Sequence, residues 1–518
     1  MKNIKIIQYF LVILITFSAC DDFVDVDPIG VEAEDYFNSE EEYESALLGA
    51  YDLLQATFQN VLISVVASDD IIAGGDAFNY DQPTLQNINS MIHTPSDNNQ
   101  LREVWQLMYA GINRANYVLE FKEKTEFAGR DAIIAQAYFL RAYFTFELTK
   151  FFGDVPLSFE ERNGVNRMVD KRILFGQEFD VNRVGSIADV YSLIEEDLKE
   201  AITKLPASSQ TEAYKITKGA AQALLGKVYL YHGTFDNSKF AEAANQLGLV
   251  ANNANYSLVQ GDNYLNLFES TGENGSEAVF EIQYTGVEAA GWGCIICSEG
   301  SYFVQYNGPR SPYDGTEYRS GWGFNLPTQQ LYDLFDANDL RRDVTFLDLR
   351  DQQDIYSQGR DDTGFFNKKY LPRKADDRVG SDPLNHPNNY RAIRLADVLL
   401  MAAEAEVQSG GSNGESYLNQ VRERAYGNNS QDYTAAEGSL LEAIYTERRK
   451  ELAGEGHRFF DLVRTGKAKS AFDAFNASKP AEFNTVNYIE NKHGIFPIPL
   501  VELQLANAVE KWGQNPNY

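Results

Sequence analysis

The sequence is poor in the residue types that usually carry covalent or metal chemistry. Its 518 residues include three cysteines and five histidines. The histidines His93, His232, His386 and His493 lack the i,i+4 spacing of zinc-binding helices, and no second cysteine pair completes a zinc site. The acidic stretch at 361–362 lacks EF-hand spacing, so a structural calcium has no support. We therefore expect no cofactor and no resident metal.

Positive charge is also scarce. Lysine and arginine total 45 against 75 aspartates and glutamates, which gives a formal net charge of −30. Nucleic acid and anionic membrane surfaces would be repelled by such a chain. Strongly anionic ligands are disfavoured as well, unless a local basic pocket receives them. A neutral ligand is the simplest expectation.

The one strongly apolar run at the start of the chain is too short for a transmembrane helix of about 20 residues. Lys2 and Lys5 precede an apolar stretch at 9–17, and Phe-Ser-Ala-Cys at 17–20 is typical of a lipoprotein cleavage site. We therefore expect a signal peptide at 1–19, lipid on Cys20, a flexible tether at 20–34 and a single folded body at 35–518. An ordinary cleaved signal with a chance cysteine is the alternative.

Helical periodicity dominates the rest of the chain. Apolar residues recur every three or four positions, and the segment at 131–152 is apolar nearly all round, as a helix buried in a bundle would be. The helices at 217–232 and 238–252 form an antiparallel-looking pair, as do those at 394–408 and 414–426. Such pairing predicts a mostly α fold with tetratricopeptide-like units. The remaining predicted helices are 41–58, 99–124, 187–205, 440–452 and 458–465, and a short strand is predicted at 278–283.

Two tracts break this pattern and are where we expect the ligand. Residues 257–392 are rich in Gly, Asn, Asp, Tyr and Pro, and a second loop tract covers 68–95. Long loops inside a compact domain are often functional. Aromatic rings can pack on the C–H faces of a sugar while Asn and Arg bind its hydroxyls. The candidate ligand-binding residues are Trp292, Tyr302, Tyr306, Tyr313, Asn79, Tyr80, Arg310 and Trp322, of which Trp322 is the one with a strong structural alternative.

Two other groups of reactive residues have simpler interpretations. Cys294 and Cys297 form a CxxC in a glycine-rich stretch, which we interpret as two loop cysteines able to form a disulfide outside the cell. A redox-active pair would be expected between a strand and a helix. The charged residues between 448 and 461 are interpreted as an ion-paired helix junction and not as a catalytic cluster. They are Arg448, Arg449, Glu451, His457, Arg458 and Asp461.

Several stretches together resemble the SusD/RagB family of Bacteroidetes outer-membrane lipoproteins. The central ones are AQAYFLRAYF at 135–144, KFFGDVPL at 150–157 and YAGINRAN at 109–116. They are followed by GFNLPT at 323–328, DLRRD at 339–343, RLADVLL at 394–400, ERRKEL at 447–452, HRFFDL at 457–462 and FPIP at 496–499. The resemblance spans almost the whole chain, in order.

The resemblance implies a SusD-like fold with about four tetratricopeptide-like helix pairs and a loop-rich region containing a few short strands. It implies a non-enzymatic protein that captures polysaccharide or oligosaccharide at the cell surface, lipid-anchored in the outer membrane, and passes it to a SusC-like TonB-dependent transporter. The acidic composition favours a neutral glycan such as a β-glucan. A scaffold that contacts the transporter without binding sugar is the alternative, and a glycosidase is a more distant one.

Overall fold

The structure is a computed structural model, and it describes residues 33–174, 181–206, 212–287, 291–292, 299–376, 378–380 and 382–518. Cys20, Cys294 and Cys297, and with them the lipid site and the CxxC, lie outside the described residues. The α-helices are α1 Glu40–Asp52, α2 Thr57–Val66, α3 Pro83–Asn89, α4 Asn99–Glu120, α5 Arg130–Phe152, α6 Ile187–Lys204, α7 Lys218–His232, α8 Lys239–Ala251, α9 Phe303–Tyr306, α10 Gln329–Tyr332, α11 Leu340–Thr345, α12 Leu395–Ser409, α13 Gly414–Tyr426, α14 Leu440–Glu451, α15 Arg458–Arg464, α16 Ala468–Ser478, α17 Leu500–Leu505 and α18 Val509–Trp512.

The long helices stack in an array in which each packs on the next. Helix α4 packs on α5, α5 on α6, α6 on α7, α7 on α8, α8 on α12, and α12 on α13. Both predicted antiparallel pairs are present, as α7 with α8 and α12 with α13. The mostly α fold with tetratricopeptide-like helix pairs is therefore confirmed.

Helix α5 lies at the centre of this array because it is apolar on every side. Phe139, Leu140 and Phe144 are completely buried, and so is Phe151 near its end. The helix ends at Gly153, whose φ of +73° is one that residues with a side chain rarely adopt. A helix with this burial has no free face for a ligand, so it positions other elements.

The strands are short and pair two by two. They are β1 Ile71–Gly74, β2 Phe159–Arg162, β3 Val165–Met168, β4 Ala278–Ile282, β5 Phe324–Pro327, β6 Phe346–Asp348, β7 Phe365–Asn367 and β8 Tyr390–Arg394. The antiparallel pairs are β1 with β5, β2 with β3, β4 with β8, and β6 with β7. The expectation of a loop throughout 68–95 was wrong, because this tract contains both β1 and α3.

A network of buried ion pairs joins the C-terminal helices. Glu451 at the end of α14 accepts hydrogen bonds from Arg341, Arg394 and Arg424, and all four side chains are at most 1 % exposed. Arg448 likewise pairs with Asp397 and Asp461. These contacts support the interpretation of 448–461 as an ion-paired junction.

None of the helices within the described ranges is both long and apolar enough to cross a membrane.

Candidate glycan-binding site

The pairing of β1 with β5 joins the two loop tracts in which ligand was expected. Ile72 lies opposite Leu326 and Gly74 opposite Phe324. Beyond the ladder, the Gly75 N–H donates to the Gly323 carbonyl at 2.8 Å. The segment that follows β1 therefore lies beside the segment that precedes β5. Residues about 250 positions apart in sequence form one surface.

Glycine is required where these two segments meet. Gly75 has a φ of +94°, and a Cβ at this position would lie 2.6 Å from Asp81 Oδ1 and 2.8 Å from the Phe324 ring. Gly323 has a φ of +69°, and its Cβ would lie 2.7 Å from Arg310 Cγ. A side chain at either position would push the loop at 76–81 away from the chain around Trp322.

Four of the predicted aromatic residues form a single cluster on this surface. The rings of Trp292 and Trp322 are stacked, with centroids 6.2 Å apart and an interplanar angle of 25°. Tyr302 meets both tryptophans edge-on, at 5.9 and 5.2 Å, and Tyr306 meets Trp322 edge-on at 5.1 Å. We call Trp292, Trp322, Tyr302 and Tyr306 the aromatic platform.

The members of the platform differ in exposure and therefore in what they can touch. Trp292 is 54 % exposed and Trp322 is partly exposed, whereas Tyr302 and Tyr306 are only 8 % and 4 % exposed. The two tyrosines support the tryptophans from below, and Phe58 on α2 packs edge-on against Tyr302 at 5.8 Å. The tryptophans are thus the rings available to a ligand.

Burial raises the pH at which the two platform tyrosines would ionise. It raises the pKa of Tyr302 to about 12, with a smaller contribution from the Glu103 carboxylate on α4. It also raises the pKa of Tyr306 well above its usual value. A hydrogen bond joins the two phenols. At neutral pH both remain protonated, so they add no charge beneath the tryptophans.

Arg310 connects the platform to the loop at 76–81. Its guanidinium donates to the Trp322 carbonyl at 2.8 Å, to Asp76 Oδ2 at 3.0 Å and to Asp81 Oδ2 at 3.5 Å. Hydrogen bonds from the backbone N–H groups of Asn79 and Phe78 lower the pKa of the Asp76 carboxyl, and the positive charge of Arg310 lowers it further to a smaller extent. Arg310 was predicted to bind sugar hydroxyls, but the structure engages it in these protein contacts.

The loop at 76–81 exposes the other predicted residues. Asn79 is exposed, and Tyr80 is 46 % exposed with the Arg360 guanidinium 4.9 Å from its ring centroid. Arg360 cannot be predicted as a site residue, since nothing local in the sequence marks an arginine that stacks on a tyrosine 280 residues earlier. Glu103 is equally unmarked, because it lies on a regular helix and has no motif around it.

Tyr313 follows Arg310 and its N–H donates to the Arg310 carbonyl at 3.2 Å, but its ring is not part of the aromatic platform. It is 7 % exposed, and Gly315 lies directly against its hydroxyl group. No ring contact connects it to the platform among the described residues. Seven of the eight predicted ligand residues, Tyr313 excepted, are therefore brought to one surface. That surface suits an uncharged ligand with flat apolar faces, and within the described part of the chain no group of three or more His, Cys, Asp or Glu side chains is arranged to hold a metal ion.

The chain is similar to known proteins over nearly its whole length. Residues 350–518 match a family model described as the SusD family, and residues 22–230 match one described as "Starch-binding associating with outer membrane". Among curated proteins, the chain is 28 % identical to the SusD-like protein P2 of Formosa agariphila, with 97 % of each chain covered.

Solved structures match over nearly the whole length. A laminarin-binding SusD-like protein is 33 % identical, with a TM-score of 0.77, over 93 % of this chain and 100 % of that one. Surface glycan-binding protein A from Bacteroides thetaiotaomicron, in complex with laminarihexaose, is 26 % identical with a TM-score of 0.78, over 92 % and 100 % of the two chains.

Proposed function

Because this chain belongs to the SusD/RagB family, whose members bind glycans and are not enzymes, we propose that it binds a neutral β-glucan at the cell surface. We propose further that it is held there by a lipid on Cys20 and delivers the glycan to a SusC-like TonB-dependent transporter. The observation that carries the proposal is the stacked pair of Trp292 and Trp322 on an otherwise acidic protein.

The aromatic platform supplies the kind of contact that a sugar ring needs. Each pyranose has an apolar C–H face, and an aromatic ring that is more than half exposed, such as that of Trp292, can cover it. Binding sites for small organic ligands combine apolar walls with a few polar groups. Asn79 and Tyr80 on the neighbouring loop supply amide and phenol groups for the hydroxyls.

The charges around the platform favour a neutral glycan. Arg310 is engaged with two carboxylates, those of Asp76 and Asp81, and Glu103 adds a third acidic group nearby. A polyanion such as alginate would meet carboxylates here and a net charge of −30 overall. The laminarin and laminarihexaose named for two similar structures are neutral β-glucans, and they make laminarin the first ligand to test.

The position of the platform fits an anchored protein. Glu103, near the start of α4, acts electrostatically on the platform tyrosines, whereas Phe121, just past the end of α4, packs on Phe37 near the start of the described chain. The 22 residues of α4 span about 33 Å. An anchor on the N-terminal side of Phe37 would therefore lie nearer one end of α4, and the platform nearer the other.

Affinity electrophoresis tests the proposal. The purified soluble body should be retarded in a native gel that contains laminarin and should migrate normally in gels that contain alginate or no polysaccharide. Normal migration in laminarin would overturn the β-glucan assignment. It would also support the alternative of a scaffold without sugar affinity, if a wider panel of glycans gave the same result.

A further inference from the structure

Phe78 is the most exposed large apolar side chain among the described residues, and it lies beside the proposed site. It is 95 % exposed, at the tip of the loop at 76–81. An aromatic side chain of this size loses a large hydrophobic contribution when it stays in water. Its position is therefore one where a partner that covers it would gain binding energy.

The loop that carries Phe78 is held in one conformation. The Asp76 carboxylate accepts hydrogen bonds from the backbone N–H groups of Phe78 at 2.9 Å and Asn79 at 2.8 Å. The Asp81 carboxylate in turn accepts from the Asp76 N–H at 2.9 Å. Phe78 is presented by an ordered turn, so little entropy would be lost when a ligand contacts it.

Arg310 fixes this turn to the aromatic platform. One guanidinium reaches the Trp322 carbonyl and both Asp76 and Asp81, so the platform and the turn are separated by the width of a single side chain. The aliphatic part of Arg310 lies across Gly323, where no side chain intervenes. Phe78 therefore lies on a turn that Arg310 ties directly to the backbone of Trp322, because Asp76 binds both the Phe78 N–H and the Arg310 guanidinium.

We propose that Phe78 forms a second glycan subsite. It contacts a sugar residue of the same β-glucan chain, beyond the sugar residues that rest on Trp292 and Trp322. Arg310 is the positioning residue that sets the distance between the two subsites. This inference rests on the proposed function. It implies that the protein discriminates by chain length: short oligosaccharides reach only the platform, and longer ones also cover Phe78.

Isothermal titration calorimetry with laminaribiose and laminarihexaose tests this subsite. Phe78→Ala should weaken laminarihexaose binding about tenfold, which corresponds to about 1.4 kcal/mol, and should leave laminaribiose binding unchanged. Phe78→Trp should retain the preference for the longer ligand. Phe235→Ala is the matched control, because Phe235 is also exposed, at 58 %, but lies in the turn between α7 and α8.

The role of Arg310 is tested by a double-mutant cycle with the same two ligands. Arg310→Ala should weaken laminarihexaose binding, and its effect should be clearly smaller in the Phe78→Ala background, because the residue acts through the position of Phe78. A purely structural role would instead give the same loss in both backgrounds, and that result would overturn the positioning role.

The two proposals fail in distinguishable ways. If the wild-type protein binds neither oligosaccharide, both the β-glucan assignment and the subsite are overturned. If the wild type binds laminarihexaose and Phe78→Ala binds it equally well, the subsite alone is overturned.

Discussion

Replacement of Glu451 by glutamine tests whether the buried ion network holds the C-terminal helices together. Glu451 is completely buried and forms ion pairs with Arg341, Arg394 and Arg424. Burial alone would raise its pKa, but these three guanidinium groups hold the pKa of the carboxyl well below its usual value. Glutamine has nearly the same shape, so the change removes the charge and leaves the packing intact.

The expected loss is large because the arginines cannot move to water. Removal of one partner from a buried ion pair costs about 3–5 kcal/mol, since the remaining charge stays desolvated. Each arginine keeps another carboxylate as a partner, Asp339 for Arg341 and Glu277 for Arg394 and Arg424. The expected loss of stability is therefore near the lower end of this range, about 3 kcal/mol. Unfolding entropy of about 2 cal/mol/K per residue gives about 1 kcal/mol/K for a chain of this size, so the melting temperature should fall by about 3 °C.

Glu442→Gln is the matched control on the same helix, α14. Glu442 is 58 % exposed and pairs with Lys467, which is 36 % exposed. A surface pair of this kind contributes less than about 1 kcal/mol. Differential scanning calorimetry at one fixed scan rate compares the two variants with the wild type. Equal melting temperatures for Glu451→Gln and Glu442→Gln would refute the assignment of a structural role to the buried network.

Two further expectations concern acid stability and anchoring. Despite burial, neighbouring arginines lower the pKa of Asp170 and of Asp461 to about 2, so their contribution is complete above about pH 4 and is lost as the pH falls toward 2. Burial lowers the pKa of His93 to about 3 and that of His493 to about 4. Because the unfolded chain then binds protons that the folded protein excludes, the free energy of unfolding should already fall below about pH 6.5. A denaturation midpoint that stays constant from pH 7 to pH 4 would contradict this expectation. Cys20→Ala should move the protein from the membrane fraction to the soluble fraction of cells, and membrane retention of this variant would argue against lipid anchoring through Cys20.

The long helices could be predicted from the sequence because their signal is local. The apolar periodicity of 414–426 and of 131–152 gave helix ends within one residue of α13 and α5. The buried helix α2 was largely missed, since the predicted helix at 41–58 stops where α2 begins and the segment after it is apolar throughout. Short strands such as β1 carry no periodicity, because four residues that are all buried give no alternation.

The candidate site could be predicted only in part. Trp292 and Tyr80 were identified because aromatic residues beside glycine, asparagine and aspartate mark exposed loops. The role of Arg310 could not be predicted, because its partner Asp76 lies 234 residues earlier and the two meet only through the pairing of β1 with β5. Tyr313 looks the same as Tyr302 in sequence, and only the fold separates them.

The most direct test of glycan binding at the aromatic platform is a calorimetric titration of laminarihexaose into the wild-type protein and into Trp292→Ala. Trp292 is more than half exposed, so its replacement should leave the melting temperature unchanged. We expect saturable binding by the wild-type protein and loss of measurable binding by the variant. Equal affinity of the two proteins for laminarihexaose would contradict the assignment of the platform as the glycan-binding site.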